Sequence, residues 1–158
     1  MANLKGTQLS QKHDWETPQA LFDTFDTTYC FMLDTCASAA NTKCGRWYGP
    51  QGEHMDALDP DLVWPVEGAL WMNPPYKRGV QDQFVKKAME TSLRGGCVVA
   101  LLPSRTDTKM FHTYIWDTHV HRPHPWVQEI LFLKGRVGFV GGAAKAPFPS
   151  MVVIFGRR

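Results

Sequence analysis

The sequence has 158 residues, of which 44% are hydrophobic and 20% are charged, and its formal net charge is +2. This length fits one domain with a normal core, and the composition excludes a disordered chain. No apolar run approaches the roughly 20 residues of a membrane span, and residues 1–10 lack the apolar stretch of a secretory signal. We therefore expect a cytoplasmic protein without membrane contact. The near-neutral charge means that any nucleic-acid-binding surface must be a local patch.

The chain begins with a polar segment, residues 1–13, which predicts a mobile tail ahead of a single domain over residues 14–158. A helix is predicted directly after the tail. Thr17 can cap it and Pro18 suits its first position, because proline lacks the amide hydrogen that this position leaves unused.

Apolar runs then predict a series of buried strands separated by helices. The strands are expected at residues 30–33, 69–72, 97–102, 130–133 and 151–155. Helical spacing of apolar side chains predicts further helices over 80–93 and 110–115. Glycines and prolines make long regular elements improbable in residues 43–66. Strands that alternate with helices are typical of a three-layer α/β fold with a parallel or mixed sheet.

Three polar or turn residues follow strand ends: Asp34, Asn73 and Pro103. Ligands of such sheets bind beyond the carboxyl ends of the strands. The sequence therefore predicts that the chemistry lies at this rim.

The strongest motif at the rim is Asn73-Pro74-Pro75-Tyr76. This motif suits the exocyclic amine of adenine as a methyl acceptor. That amine attacks poorly because its lone pair is delocalised into the ring. The side-chain carbonyl of Asn73 and the backbone carbonyl of Pro74 can each accept one of its N–H groups, and the prolines hold both acceptors rigidly. Tyr76 offers a ring on which the base can stack, worth about 1–3 kcal/mol. An ordinary proline turn after a strand is the alternative interpretation.

A methyl group carried on a sulfonium would suit such a site, because the donor leaves as a neutral thioether and needs no proton. Positioning and electrostatics then supply the catalysis, with about 7–11 kcal/mol available from orientation. The target atom is inaccessible inside a duplex, so the base would have to be flipped out at a cost of a few kcal/mol.

The turn after the first predicted strand is the second candidate element. Small residues follow Asp34 in Thr35-Cys36-Ala37-Ser38, and we expect their backbone amides to receive a ligand carboxylate while Asp34 binds an amine or a water. The alternative is a simple capped strand–helix turn, since the segment lacks the G-x-G pattern.

Over residues 14 to about 155, the chain resembles the compact phage-type DNA N6-adenine methyltransferases of the Dam family. Six blocks occur in the family's order: Asp14-Trp15-Glu16-Thr17-Pro18, Leu33-Asp34-Thr35-Cys36-Ala37-Ser38, Trp71-Met72-Asn73-Pro74-Pro75-Tyr76, residues 101–108, Phe132-Leu133-Lys134-Gly135-Arg136 and Ala146-Pro147-Phe148-Pro149-Ser150. Thr35 replaces the usual proline of the second block, which weakens the expected rigidity of that turn.

The resemblance implies a minimal Rossmann-like class I methyltransferase fold, S-adenosylmethionine as donor, S-adenosylhomocysteine as product and adenine in double-stranded DNA as acceptor. It implies no metal. The implied catalytic residues are Asn73, Pro74, Pro75 and Tyr76. The implied cofactor-binding residues are Trp15, Thr17, Pro18, Asp34, Cys36, Ala37, Asp56 and Asn73. Asp56 is the weakest of these, because a solvated loop carboxylate is an equal alternative.

Cations near the motif are expected to contact DNA phosphates, although solvated surface is the alternative. They are Lys77, Arg78, Arg105, Lys134 and Arg136. A loose histidine cluster (His112, His119, His121 and His124) has an incomplete metal-ligand set, and a loop that touches phosphate or bases is the preferred interpretation.

The length leaves no room for a separate recognition domain, so we expect sequence specificity from loops in 43–66, 117–127 or 136–149, or from a second subunit. If the protein is phage-encoded, it acts in the host cytoplasm. Alternative acceptors are RNA adenine, cytosine N4 and protein glutamine. A nucleic-acid binder without enzymatic activity is a further alternative.

Overall fold

The protein was analysed as a computed structural model that describes residues 15–141 and 144–157. The tail expected over residues 1–13 lies outside this part of the chain. The elements are α1 (Gln19–Tyr29), β1 (Leu33–Asp34), β2 (Ala69–Met72), α2 (Val80–Leu93), β3 (Cys97–Pro103), α3 (Lys109–Tyr114), β4 (Trp116–Asp117), β5 (Arg122–Pro123), β6 (Val127–Phe132) and β7 (Ser150–Phe155).

Five strands form the central sheet in the order β1-β2-β3-β7-β6. Strands β1, β2 and β3 are parallel, whereas β7 runs antiparallel to both β3 and β6. The expectation of a parallel or mixed α/β sheet is therefore confirmed in its mixed form. The parallel part brings the carboxyl ends of β1 and β2 to the same edge.

Side chains of the buried strands alternate between two hydrophobic clusters, one on each face of the sheet. Leu70 and Met72 pack with α2 and α3, whereas Trp71 packs with Phe22 of α1. Successive residues of a strand point to opposite faces, so continuous apolar runs are what a sheet covered on both sides requires. The three layers are thus α1, the sheet, and the pair α2 and α3.

The start of the chain differs from the prediction at two points. Pro18, and not Thr17, occupies the N-cap position of α1, because the Pro18 carbonyl accepts from the amides of Leu21 and Phe22. Strand β1 is shorter than the expected run of residues 30–33, since Cys30 ends α1 with a left-handed backbone (φ 50°). The remaining strands and helices lie within a few residues of their predicted positions.

Residues 43–66 contain no named helix or strand, as predicted. Part of this segment nevertheless extends the sheet irregularly. The Asp34 amide donates to Arg46 O at 3.0 Å, and the Tyr48 amide donates to Asp34 O at 2.9 Å. The loop thereby covers the edge of β1 and lies beside the turn that follows it.

No helix within residues 15–141 and 144–157 combines the length and apolarity needed to cross a bilayer.

Strands β4 and β5 form a short antiparallel hairpin that the sequence did not predict. The hairpin lies at the start of the segment 117–127, which is one of the loops expected to read the DNA sequence.

Candidate active site

A cavity of about 560 Å³ lies at the carboxyl ends of β1 and β2. Its wall combines the turn after β1, the Asn-Pro-Pro segment after β2 and part of the 43–66 loop. Sites that enclose drug-sized ligands range from about 300 to 1,000 Å³. Of the residues expected to bind cofactor or to catalyse, the wall contains Trp15, Thr17, Asp34, Cys36, Ala37, Asp56, Asn73, Pro74 and Pro75.

Asn73 is anchored by one end of its side-chain amide. Its Nδ2 donates to Trp15 O at 2.5 Å and to the Thr17 Oγ1 at 2.9 Å. Its Oδ1 is buried and has no hydrogen-bond partner among the described residues. A buried acceptor without a donor costs free energy, and such atoms are rare unless a ligand completes them.

The Trp15 carbonyl also decides which way the amide faces. If the oxygen and nitrogen of Asn73 exchanged places, the side-chain oxygen would oppose the Trp15 carbonyl oxygen and that hydrogen bond would be lost, whereas the Thr17 hydroxyl could donate instead of accept. Amide orientation follows from the hydrogen-bond network. The network therefore leaves the acceptor, and not the donor, unpartnered beside the cavity.

The backbone after Asn73 is stiff for a reason that the sequence already contains. Two consecutive prolines fix their own φ angles and restrict the residue before them. Pro74 and Pro75 both belong to the cavity wall. The acceptors predicted for an amine, the side chain of Asn73 and the carbonyl of Pro74, are thus carried on the same rigid segment.

Tyr76 does not present a stacking surface. Its ring is 4% exposed, and its hydroxyl donates to Leu101 O at 3.2 Å. Phe139 and Phe148 meet the ring edge-on, with centroids 6.1 and 5.5 Å away. Burial raises the pKa of the Tyr76 hydroxyl well above its usual value. Because Phe139 and Phe148 cover the ring, it offers no free face to a base here, and the base-stacking role expected of Tyr76 stays a prediction.

Asp34 is a carboxyl group buried at the cavity wall, with 3% of its surface exposed. Its two oxygens accept backbone hydrogen bonds from Cys36 and Lys43, each at 3.2 Å. Burial raises the pKa of Asp34 to about 6, although these two amides and the charge of Lys43 act in the opposite direction. A buried carboxylate with a raised pKa beside a cavity is typical of a functional site. A cation bound in the cavity would offset the cost of burying its negative charge.

The backbone amides of the turn after β1 are already used, contrary to the expectation that they receive a ligand carboxylate. The amide of Thr35 donates to Trp71 O, that of Ala37 to Tyr48 O, and that of Ser38 to the Asn41 side chain. No helix follows the turn in the described chain. The oxygens that accept from these amides belong to β2 and to residues 41–48. The local sequence did not reveal that residues 41–48 fold over the turn.

Lys43 is a cavity residue that sequence reasoning missed. Its side chain is only 10% exposed, and its Nζ lies 3.6 Å from the Glu16 carboxylate. Nothing in the local pattern distinguished it from a solvated loop lysine. It is the only lysine or arginine in the wall formed by the described residues, and its ammonium group interacts with the carboxylates of Glu16 and Asp34.

The remaining predicted cofactor residues divide into two groups. Cys36, Ala37 and Asp56 line the cavity, and the Asp56 carboxylate also accepts a hydrogen bond from the Leu58 amide at 2.8 Å. Pro18 belongs to the N-terminus of α1 and is not part of the wall formed by the described residues.

All five cations expected to contact DNA are exposed, namely Lys77, Arg78, Arg105, Lys134 and Arg136. Lys77 and Arg78 lie between the Asn-Pro-Pro-Tyr motif and α2. The Arg105 guanidinium lies over the Phe148 ring, 5.8 Å from its centroid. None of the five lines the cavity wall formed by the described residues.

Two histidines of the cluster, His112 and His124, are engaged by neighbouring residues. His112 uses one ring nitrogen with the Thr118 hydroxyl at 2.6 Å and the other with Thr106 O at 2.8 Å. His124 stacks on Trp126 with centroids 4.5 Å apart. Among residues 15–141 and 144–157, no three His, Cys, Asp or Glu side chains are grouped as metal ligands would be.

Comparison with known proteins gives one family and two phage relatives. The family described as DNA N-6-adenine-methyltransferase (Dam) matches residues 5–155. A DNA N-6-adenine-methyltransferase of Escherichia phage T1 is 31% identical over 98 residues, covering 61% of this chain and 38% of the phage protein. One from Haemophilus phage HP1 (strain HP1c1) is 33% identical over 114 residues, covering 70% of this chain and 61% of that protein. The chain thus spans less than two thirds of either relative.

Proposed function

Because this chain belongs to the DNA N-6-adenine-methyltransferase (Dam) family, we propose that it methylates the N6 amine of a flipped-out adenine in double-stranded DNA. The methyl donor is S-adenosylmethionine, and the product is S-adenosylhomocysteine. The observation that carries the proposal is the unpartnered, buried Oδ1 of Asn73 beside the cavity.

The chemistry of the acceptor matches this atom. An aromatic amine has two N–H groups and a delocalised lone pair, so it requires acceptors that favour a more pyramidal nitrogen. Asn73 Oδ1 supplies one acceptor, held in place by the hydrogen bonds on Nδ2. The Pro74 carbonyl supplies the second. Fixed dipoles that face a developing charge lower the barrier; a single hydrogen-bond donor to an oxyanion contributes about 2.7–4 kcal/mol, and carbonyl acceptors act on a developing positive charge by the same physics.

The residues of the cavity also suit the donor. S-adenosylmethionine supplies a methyl group on a sulfonium and carries an ammonium and a carboxylate at its amino-acid end. Asp34 and Lys43 place one negative and one positive group on the same wall. The ionised Asp34 would hold the ammonium of the bound donor, and Lys43 would hold its carboxylate. The cavity volume of about 560 Å³ is large enough for a ligand of this class.

We propose the minimal Rossmann-like class I methyltransferase architecture for this fold. Three parallel strands, the cavity at the carboxyl ends of β1 and β2, and helices on both faces of the sheet support this proposal. We assign residues 14–158 to a single domain, with specificity read by loops. The protein then acts in the cytoplasm, or in the host cytoplasm if it is encoded by a phage.

The test is methyl transfer from labelled S-adenosylmethionine to duplex DNA, RNA or a release-factor-like protein. We expect label in DNA, on adenine N6. Asn73→Ala should lower turnover by roughly 100- to 1,000-fold and keep its affinity for S-adenosylhomocysteine. Gln83→Ala, an exposed amide on α2, is the matched control. Label in RNA, on cytosine or on glutamine would replace the proposed acceptor, and full activity of Asn73→Ala would overturn the mechanism.

A further inference from the structure

We propose that Thr17 is a positioning residue, which orients the catalytic amide of Asn73 through its hydroxyl. The family resemblance suggested a cofactor-binding role for Thr17. The geometry indicates instead that Thr17 acts on the methyl acceptor indirectly, through Asn73. This inference rests on the proposed methyl-transfer function.

The first support is the hydrogen bond itself. The Thr17 Oγ1 accepts from Asn73 Nδ2 at 2.9 Å, across a sequence separation of 56 residues. The Thr17 side chain is 3% exposed, so water cannot readily replace its hydroxyl as an acceptor. The amide nitrogen has two hydrogens, and Trp15 O takes the other.

The second support is that the Thr17 hydroxyl, although it lies next to the N-terminus of α1, has no role in that helix. It directly precedes the N-cap residue of α1, and its hydroxyl does not cap that helix. The capping position itself is occupied by Pro18, whose side chain has no acceptor for the helix amides. The Thr17 hydroxyl is therefore not used by α1, and its recorded partner is the Asn73 amide.

The segment that carries Thr17 is itself held to the opposite side of the site. The Val140 amide donates to Glu16 O at 3.0 Å, and the Glu16 carboxylate pairs with Lys43. Trp15 packs against Phe139 and Phe148, with ring centroids 5.4 and 5.3 Å away. The two acceptors for Asn73 Nδ2 therefore belong to a segment fixed on several sides.

Loss of the Thr17 hydroxyl should leave one N–H of Asn73 without an acceptor, so that the Trp15 carbonyl alone holds the amide and its plane can tilt. A tilted amide moves Oδ1 away from the amine from which it should accept. Thr17→Val keeps the shape but removes the acceptor, whereas Thr17→Ser keeps the acceptor. A small misplacement of a catalytic group can reduce rate by roughly 100-fold.

The experiment measures single-turnover methylation at saturating cofactor, together with binding of S-adenosylhomocysteine by calorimetry. Thr17→Val should slow single turnover by roughly 10- to 100-fold, with cofactor affinity changed by less than about 3-fold. Thr17→Ser should restore the rate to near that of the unaltered protein. Parallel losses of rate and cofactor affinity, or equal defects in the two variants, would overturn the proposal. If Thr17→Val does not fold, Thr17→Ala is compared with Thr17→Ser by the same criteria.

Side-chain amide NMR separates this inference from the proposed function. The Asn73 amide pair is identified in ¹⁵N spectra by its absence in Asn73→Ala. We expect Thr17→Val to shift this pair upfield, as hydrogen-bond loss does, and Thr17→Ser to leave it near its original position. An unmoved pair contradicts the positioning role even if the protein methylates DNA. If the pair shifts as expected but the protein transfers no methyl group, the anchoring of Asn73 by Thr17 stands and the proposed function is overturned.

Discussion

Thr35 ties the turn after β1 to the neighbouring strand by donating twice to the carbonyl of Trp71. Its amide lies 2.9 Å and its hydroxyl 3.0 Å from that oxygen, and the residue is fully buried. The resemblance places a proline at this position, which could donate neither bond. The substitution therefore does not loosen the turn, since two hydrogen bonds replace the rigidity of the ring.

Removal of the Thr35 hydroxyl should destabilise the fold. Thr35→Val keeps the shape and loses one buried hydrogen bond, which is worth about 1 kcal/mol. For a chain of this size that corresponds to a Tm lower by about 2–4 °C. Thermal unfolding followed by circular dichroism measures the change. Thr28→Val, on the exposed surface of α1, is the control, and equal Tm values for the two variants would contradict the assignment.

The buried carboxyl of Asp34 should make stability depend on pH. Its pKa is raised by burial from 3.8 to about 6, so the folded chain retains this proton at pH values where the unfolded chain has lost it. The contribution to stability is present below pH 4 and is lost as pH rises to about 6. Asp34→Asn should therefore gain up to about 3 kcal/mol relative to the original protein between pH 4 and pH 8. Urea unfolding at both pH values measures it, and a constant difference would contradict the raised pKa.

The same carboxylate should make ligand binding depend on pH in the opposite direction. An ammonium group requires the ionised form of Asp34, so affinity for S-adenosylhomocysteine should fall as pH drops below about 6. Asp34→Asn should bind weakly at every pH and show no such dependence. Tight binding by this variant at pH 8 would remove Asp34 from the cofactor site.

Lys43 should contribute to cofactor affinity through its charge. Lys43→Met removes the ammonium from the cavity wall and should weaken S-adenosylhomocysteine binding by roughly 10- to 100-fold, because hydrogen bonds to charged groups are worth about 1.5–3 kcal/mol. Lys86→Met is the matched control, since Lys86 lies on the surface of α2 in an exposed pair with Glu90. Calorimetry measures both. An unaltered affinity in Lys43→Met would leave the ligand carboxylate without the proposed partner.

The exposed cations around the motif should act through phosphates. Lys77→Ala and Arg105→Ala should each weaken binding to duplexes of any sequence and reduce the salt slope of log K by about 0.9 per lost contact. Fluorescence anisotropy at several salt concentrations measures the slope, with Lys86→Ala as control. Unchanged slopes in both variants would place the DNA surface elsewhere, and an equal change in the control would reduce the effect to net charge alone.

The local pattern of apolar residues was enough to predict most of the strands and helices. Apolar runs at residues 97–102 and 151–155 are buried on both faces, and such burial leaves few options except a covered strand. The same reasoning assigned Asp34 and Asn73 to one edge, because parallel strands end at the same side of a sheet. It erred at Cys30, where a left-handed residue ended α1 inside an apolar run.

What the amino-acid sequence by itself determined was the order of elements, the rigid Asn-Pro-Pro segment and the family. Only the tertiary structure decided which atoms remain available: Asn73 Oδ1 is free because Trp15 and Thr17 engage the nitrogen, whereas the turn amides and the Tyr76 ring are occupied. Local propensity and periodicity depend on neighbours in the chain. The hydrogen-bond partners of Thr35 and of Asn73 come from residues 36 and 58 positions away in the chain, and no local pattern encodes those contacts.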